Sequence, residues 1–187
     1  MELKRSVGLE EHFGAFGSGL HPGSGGAEFV QRSRLDTLAG LQPLAGAVVK
    51  SVKSGDSFIL RFDKNEELVR SLSEFVKNQG IAAGWISGLG GALWAELAFY
   101  HLDQKAYEFD RIEEPLEIAN LTGNITTFND KPFLHIHATV SDLNYHSYAG
   151  HLKELAVAAT CEVKIDTLKT PISRVHNDAC GLKIFDL

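Results

Sequence analysis

The sequence is short of the features that would assign it quickly. Its 187 residues include two cysteines, Cys161 and Cys180, which form no CxxC motif, so two buried thiols are expected rather than a redox or thiolate centre. No apolar run approaches the ~20 residues needed to cross a bilayer, and no membrane is expected as a partner. Lys4 and Arg5 are not followed by an apolar core. No secretory signal is therefore read, and the expected location is cytoplasmic. A basic tract is also missing. Eighteen Lys and Arg are scattered against 24 Asp and Glu, giving a formal charge of −6. This balance argues against an unaided grip on a phosphate backbone, which takes clustered cations.

What is present fits a globular protein. The chain is 44% apolar and 22% charged, and it is long enough to bury a core. Residues 1–46 stand apart. "GAFGSGLHPGSGGAEF" is glycine-rich and aperiodic, and "VQRSRLDTLAGL" holds at most a turn or two of helix before Gly40 and Pro43. This stretch is read as a flexible N-terminal extension, and residues 47–187 as one domain.

In that domain "AVVKSVKSG" and "SFILRF" read as two strands joined at Gly55-Asp56. Leu68, Leu72, Phe75 and Val76 recur at helical spacing. Asp63 with Glu66 resembles a capping box ahead of that helix, and Gly80 ends it. Strand-like runs then dominate: "IAAGWISGLGGALW", "ELAFYHL", "AYEFD", "LEIANLTGNITTF", "PFLHIHATVSD", "VAATCEVKI" and "GLKIFDL". Turn signals such as Asn129-Asp130 and Thr170-Pro171 separate several of them. One helix among many hairpin-length strands predicts an α+β fold with a mostly antiparallel sheet and few helices.

Four of the eight histidines fall between Phe133 and Leu152. In "PFLHIHATV" the alternation places Leu134, Ile136, Ala138 and Val140 on a core face, with His135 and His137 on the other. Those two are spaced about 6.6 Å along a strand. Leaning rings would bring their nitrogens to the ~3 Å that one zinc ion with ~2.0–2.1 Å bonds requires. His151 offers a third ligand if the chain doubles back after "SDLNYHSYAG", with Gly150 allowing close approach. His146, in the same turn, is the rival. His151 is preferred because Gly150-His151-Leu152 begins an ordered return, whereas His146 sits among solvent-facing loop residues. The spacing serves a metal site, or equally a pair of half-buried, hydrogen-bonded strand histidines. Zinc suits three imidazoles, and other divalent transition metals share the preference.

Two further features bear on chemistry. Glu162 in "ATCEVKI" would orient a ligand or act as acid and base if its strand pairs near the histidines; the alternative is an exposed strand carboxylate. "SGLGGA" invites a phosphate-loop reading, but Gly88-Leu89-Gly90-Gly91 does not complete GxGxxG and no helix follows. A tight turn or close backbone packing is the better explanation.

Taken in order, "LRFDKNEELVRSLSEFVKNQGI", "SGLGGA", "LEIANLTGNIT", "HIHATVSD", "AGHL", "ATCEVKI" and "RVHNDACGLKIF" resemble the PPC (plant and prokaryote conserved) domain family. The resemblance spans Phe58 to Leu187. It implies an antiparallel α/β domain assembled as a homotrimer, and a DNA-binding description by association with plant relatives that carry an AT-hook. It also implies a metal held through the HxH and GHL histidines, which here are His135, His137 and His151. Three departures follow. Ala149-Gly150 stands for the usual double glycine, Cys180 for a threonine, and no Arg-Gly-Arg-Pro hook occurs in the chain. The footprint for minor-groove binding is therefore missing.

The expectation is a homotrimeric zinc-binding module with a regulatory or binding role. Direct DNA contact is disfavoured by charge. The competing expectation is a zinc-dependent hydrolase or lyase acting on a small molecule, with Glu162 as general base.

Overall fold

In the computed structural model, residues 49–187 are described. The predicted extension over residues 1–46, with its short helical stretch, lies outside them. Nine strands and one helix follow in the order β1 (Lys50–Ser54), β2 (Ser57–Asp63), α1 (Leu68–Asn78), β3 (Gly84–His101), β4 (Ala106–Ile112), β5 (Leu116–Phe128), β6 (Lys131–Ser141), β7 (Ser147–Thr167), β8 (Ser173–Asn177) and β9 (Leu182–Asp186). The α+β, mostly antiparallel expectation holds. The only parallel pairing among the described residues is one position, Thr127 with Ser173, between β5 and β8.

Two long strands organise the sheet. β3 pairs along one side with β7; its other side is shared by β5 and β4. β7 likewise divides its second side between β6 and β2. Because β5 also pairs with β6, the pairings β3–β5–β6–β7–β3 close a ring that leaves those strands few open edges.

The sequence read β3 as two strands, "IAAGWISGLGGALW" and "ELAFYHL", and it is one. Gly90 sits at a register shift where β3 and β7 come unusually close. A Cβ on Gly90 would stand 2.4 Å from the Thr160 carbonyl oxygen, so the position admits no side chain and the strand continues through it. β7 is also longer than expected, because "AGHL" and "ATCEVKI" belong to the same strand.

Helix α1 buries Leu68, Leu72, Phe75 and Val76, the four residues read from spacing. Its N-cap is Glu67, not Asp63. The Glu67 carboxylate accepts from the backbone N–H of Val69 and Arg70, and also from Leu155 on β7. Half of the expected capping box survives, since Glu66 accepts from the Asp63 N–H at 2.8 Å. One carboxylate therefore caps the helix and docks it on the sheet. Beneath α1 the core gathers Phe62, Leu121, Ile136, Val140, Leu155 and Ile165, all at 2% exposure or less. The β5–β6 hairpin turns at Asn129 and Asp130, both at positive φ (50° and 59°), as a two-residue turn of matching twist demands.

Candidate functional site

The histidine face of β6 forms as its alternation requires. Ile136, Ala138 and Val140 are buried in the core, while His135 and His137 point the other way. The hairpin to β7 places His151 directly opposite His137, so cross-strand neighbours share a face and the third imidazole joins the first two. Gly150 makes this possible: a Cβ there would lie 2.8 Å from the Ala98 carbonyl oxygen on β3.

Each of the three rings offers a nitrogen, and these nitrogens lie within 4.8 Å of one another. His135 Nε2 and His137 Nε2 are 3.2 Å apart. A tetrahedral zinc with bonds near 2.05 Å has nitrogen–nitrogen edges of roughly 3.3 Å. Ring centroids are separated by 5.0, 5.3 and 5.6 Å. His151 Nδ1 is buried with no hydrogen-bond partner among the described residues. An orphaned buried nitrogen is unusual in a settled structure, and coordination would satisfy it.

Electrostatics favour the ligand form of all three. Burial pushes His135 down to about 4, reinforced by the neighbouring His137, His151 and Arg174. His137 and His151 are lowered too, chiefly by burial. The rings are neutral at pH 7, with lone pairs available to a cation. The residues present therefore fit a divalent transition metal. Zinc bound by three histidines keeps a position for water, whose pKa it brings to about 7.

His146 is excluded from this cluster. It sits in the β6–β7 turn, where its Nδ1 lies 3.2 Å from the Asp142 carboxylate. Asp142 also accepts from the N–H groups of Asn144 and His146, so the rival histidine helps build the turn.

Glu162 is also not brought to the histidines. It lies on the same strand as His151, eleven residues farther on, which is on the order of 30 Å in extended chain. There it pairs with Arg61 on β2 and Leu89 on β3, exposed on the outer face of the sheet. Within one chain it is no base for an ion at the triad.

The triad opens onto a cleft of about 1190 Å³ whose other walls carry residues that the sequence did not flag. Tyr107 on β4 stacks beside His151 at 5.1 Å between centroids. Arg174 on β8 donates from Nε to Thr126 Oγ1 at 2.9 Å and from Nη2 to Asn124 Oδ1 at 2.7 Å. Asn124 is the β5 residue directly opposite His135. Arg174 offered no local signal, because the β5–β8 contact that brings it here lies about fifty residues away along the chain.

Residues 49–169 match the Plants and Prokaryotes Conserved (PCC) domain family, the one anticipated as PPC. The chain belongs to this family. No curated protein matches it. Among solved structures it is similar to a candidate DNA-binding protein of Bacteroides thetaiotaomicron, at 34% identity, covering 75% of this chain and 98% of the other with a TM-score of 0.73. A metal-containing protein of Archaeoglobus fulgidus is 33% identical, with 75% and 99% covered and a TM-score of 0.66. A PPC protein of Pyrococcus horikoshii shares the fold at 21% identity, with 77% and 98% covered and a TM-score of 0.66. No helix among the described residues is long and apolar enough to cross a membrane.

Proposed function

We propose that this PPC-domain protein is a homotrimeric binding module that holds one zinc ion, or another divalent transition metal, per chain through His135, His137 and His151. The observation that carries the reading is three neutral imidazoles whose nitrogens gather within 4.8 Å at the floor of an open cleft. The metal-containing relative from Archaeoglobus fulgidus supports it. Its cleft suits a regulatory or ligand-sensing role in the cytoplasm better than hydrolysis or lyase chemistry through Glu162, which lies far along β7.

Self-association has separate support. Val52, Ile59, Trp85 and Leu89 share the outer face of β1, β2 and β3, and each is 47% exposed or more. The two apolar pairs flank Glu162 and Lys164 of β7, and a mixed apolar and charged face of this kind would serve as a contact surface between copies. DNA contact enters through the Bacteroides thetaiotaomicron relative, and the net charge of −6 opposes it.

Metal analysis of purified protein tests the central claim. The wild type should carry close to one divalent ion per chain and His135→Ala far less. Equal metal in both would sink the triad as the site.

A further inference from the structure

The cleft in front of the histidines has an uneven charge. The chain carries 24 acidic and 18 basic residues, yet among the described residues no Asp or Glu lines this cavity. Two cations do, Arg174 and Lys183, and neither forms an ion pair with a carboxylate among the described residues. The nearby rim carboxylate of Asp178 is instead 3.3 Å from His176 Nε2.

Arg174 is held as a fixed fork. Its side chain donates to Thr126, to Asn124 and to the Lys183 carbonyl oxygen, all neutral acceptors. Its guanidinium lies 4.9 Å from the Phe133 ring centre and 4.7 Å from that of Phe185. Lys183 Nζ stands 5.1 Å from the Phe133 centre. Aromatic faces and carbonyls ease the desolvation of a cation but leave its charge uncompensated. A guanidinium has five N–H groups, and three are engaged here, so donors remain for an incoming anion. The anchor Asn124 is the cross-strand partner of His135, which sets this charge beside the triad. Tyr100 and Tyr107, 4.8 Å apart between centroids, add an apolar wall on the side of His151.

We propose that this cleft binds a small organic carboxylate with a flat apolar body, its charged end met by Arg174 and Lys183 beside the triad and its body lying between the aromatic walls. The proposal rests on the metal reading only for the ion that would share the carboxylate. The two cations and the aromatic walls belong to the chain itself. Arginine prefers the planar, two-oxygen geometry of a carboxylate, and aromatic walls suit an apolar body better than a bare phosphate. The cavity volume is at or above the roughly 300–1,000 Å³ usual for small-molecule sites.

Calorimetric titration of zinc-loaded full-length protein with benzoate, benzyl alcohol and inorganic phosphate tests this. Benzoate should bind at least about tenfold tighter than either comparison ligand. Lys183→Gln should weaken benzoate several-fold and Arg174→Gln more, with zinc stoichiometry unchanged in both. Because Arg174 also ties β8 to β5, Lys183→Gln decides the matter if the arginine variant does not fold. Equal affinity for benzoate and benzyl alcohol, tighter binding of phosphate, or indifference to Lys183→Gln would overturn the proposal. Protein that refuses zinc yet binds benzoate in a charge-dependent way would refute the metal reading and keep this one. Protein that carries zinc and ignores benzoate would do the reverse.

Discussion

The two ends of β7 are built from one strand and face different tasks. At the N-terminal end, His151 lies between β6 and β3, its ring turned toward two other histidines and a tyrosine. At the C-terminal end, Glu162 lies between β2 and β3, on an outer face shared with exposed Ile59, Trp85 and Leu89. One end gathers neutral nitrogens in a cleft, and the other presents apolar surface with scattered charge. A strand spaces its residues along one line, so two polar groups far apart on it meet only if the chain bends or a second copy arrives. The neighbouring strand, rather than distance in the sequence, decides what each end can do.

That contrast can be broken most sharply by disabling one end at a time. His151→Ala should reduce metal affinity by at least about a hundredfold, since removing one of three ligands leaves a weak pair. It should leave the oligomeric mass unchanged. Trp85→Glu should do the opposite, lowering the mass measured by light scattering while metal content stays near one per chain. If His151→Ala dissociates the assembly, the site lies between subunits and the two ends are not independent.

Backbone contacts provide the next test. Gly90→Ala forces a Cβ to within 2.4 Å of Thr160 O, and Gly150→Ala forces one to within 2.8 Å of Ala98 O. Each should cost about 1–3 kcal/mol in denaturant unfolding, the larger loss at Gly90. Only Gly150→Ala should also weaken metal binding, because it displaces the strand that carries His151.

Stability should also follow pH. In the metal-free protein His135 is lowered from 6.5 to about 4, principally by burial. Above pH 6.5 both folded and unfolded chains hold it neutral, and stability does not depend on it. As pH falls below 6.5 the unfolded chain takes up a proton that the folded site refuses, so stability declines. The decline levels off near pH 4, where the folded form also protonates. His135→Gln should flatten this slope. Least of all, Glu162→Gln should leave metal content unchanged and shift stability by no more than about 0.5 kcal/mol, as exposed substitutions do.

Much of the domain was legible because its patterns are local. Leu68, Leu72, Phe75 and Val76 mark the helix by period, and the alternation around His135 and His137 separates the ligand face from the core face. Asn129-Asp130 marks its hairpin by the positive φ that such turns require. The strand lengths were less legible. Gly88, Gly90 and Gly150 let backbones pack too closely for a Cβ, and the long strands run on through them. The helix cap moved from Asp63 to Glu67 because Glu67 also meets Leu155, a contact across 88 positions of chain.

The amino-acid order by itself settled the composition of the domain, the face on which each strand histidine lies and the family to which the chain belongs. Periodicity and turn chemistry act over a few residues, so no partner strand was needed to read them. Only the tertiary structure separated Glu162 from the triad and brought Arg174, Tyr107 and Lys183 to the cleft. Those outcomes depend on register between strands and on the closure of the β3–β5–β6–β7 ring, and long-range pairing of that kind leaves no local mark in the sequence.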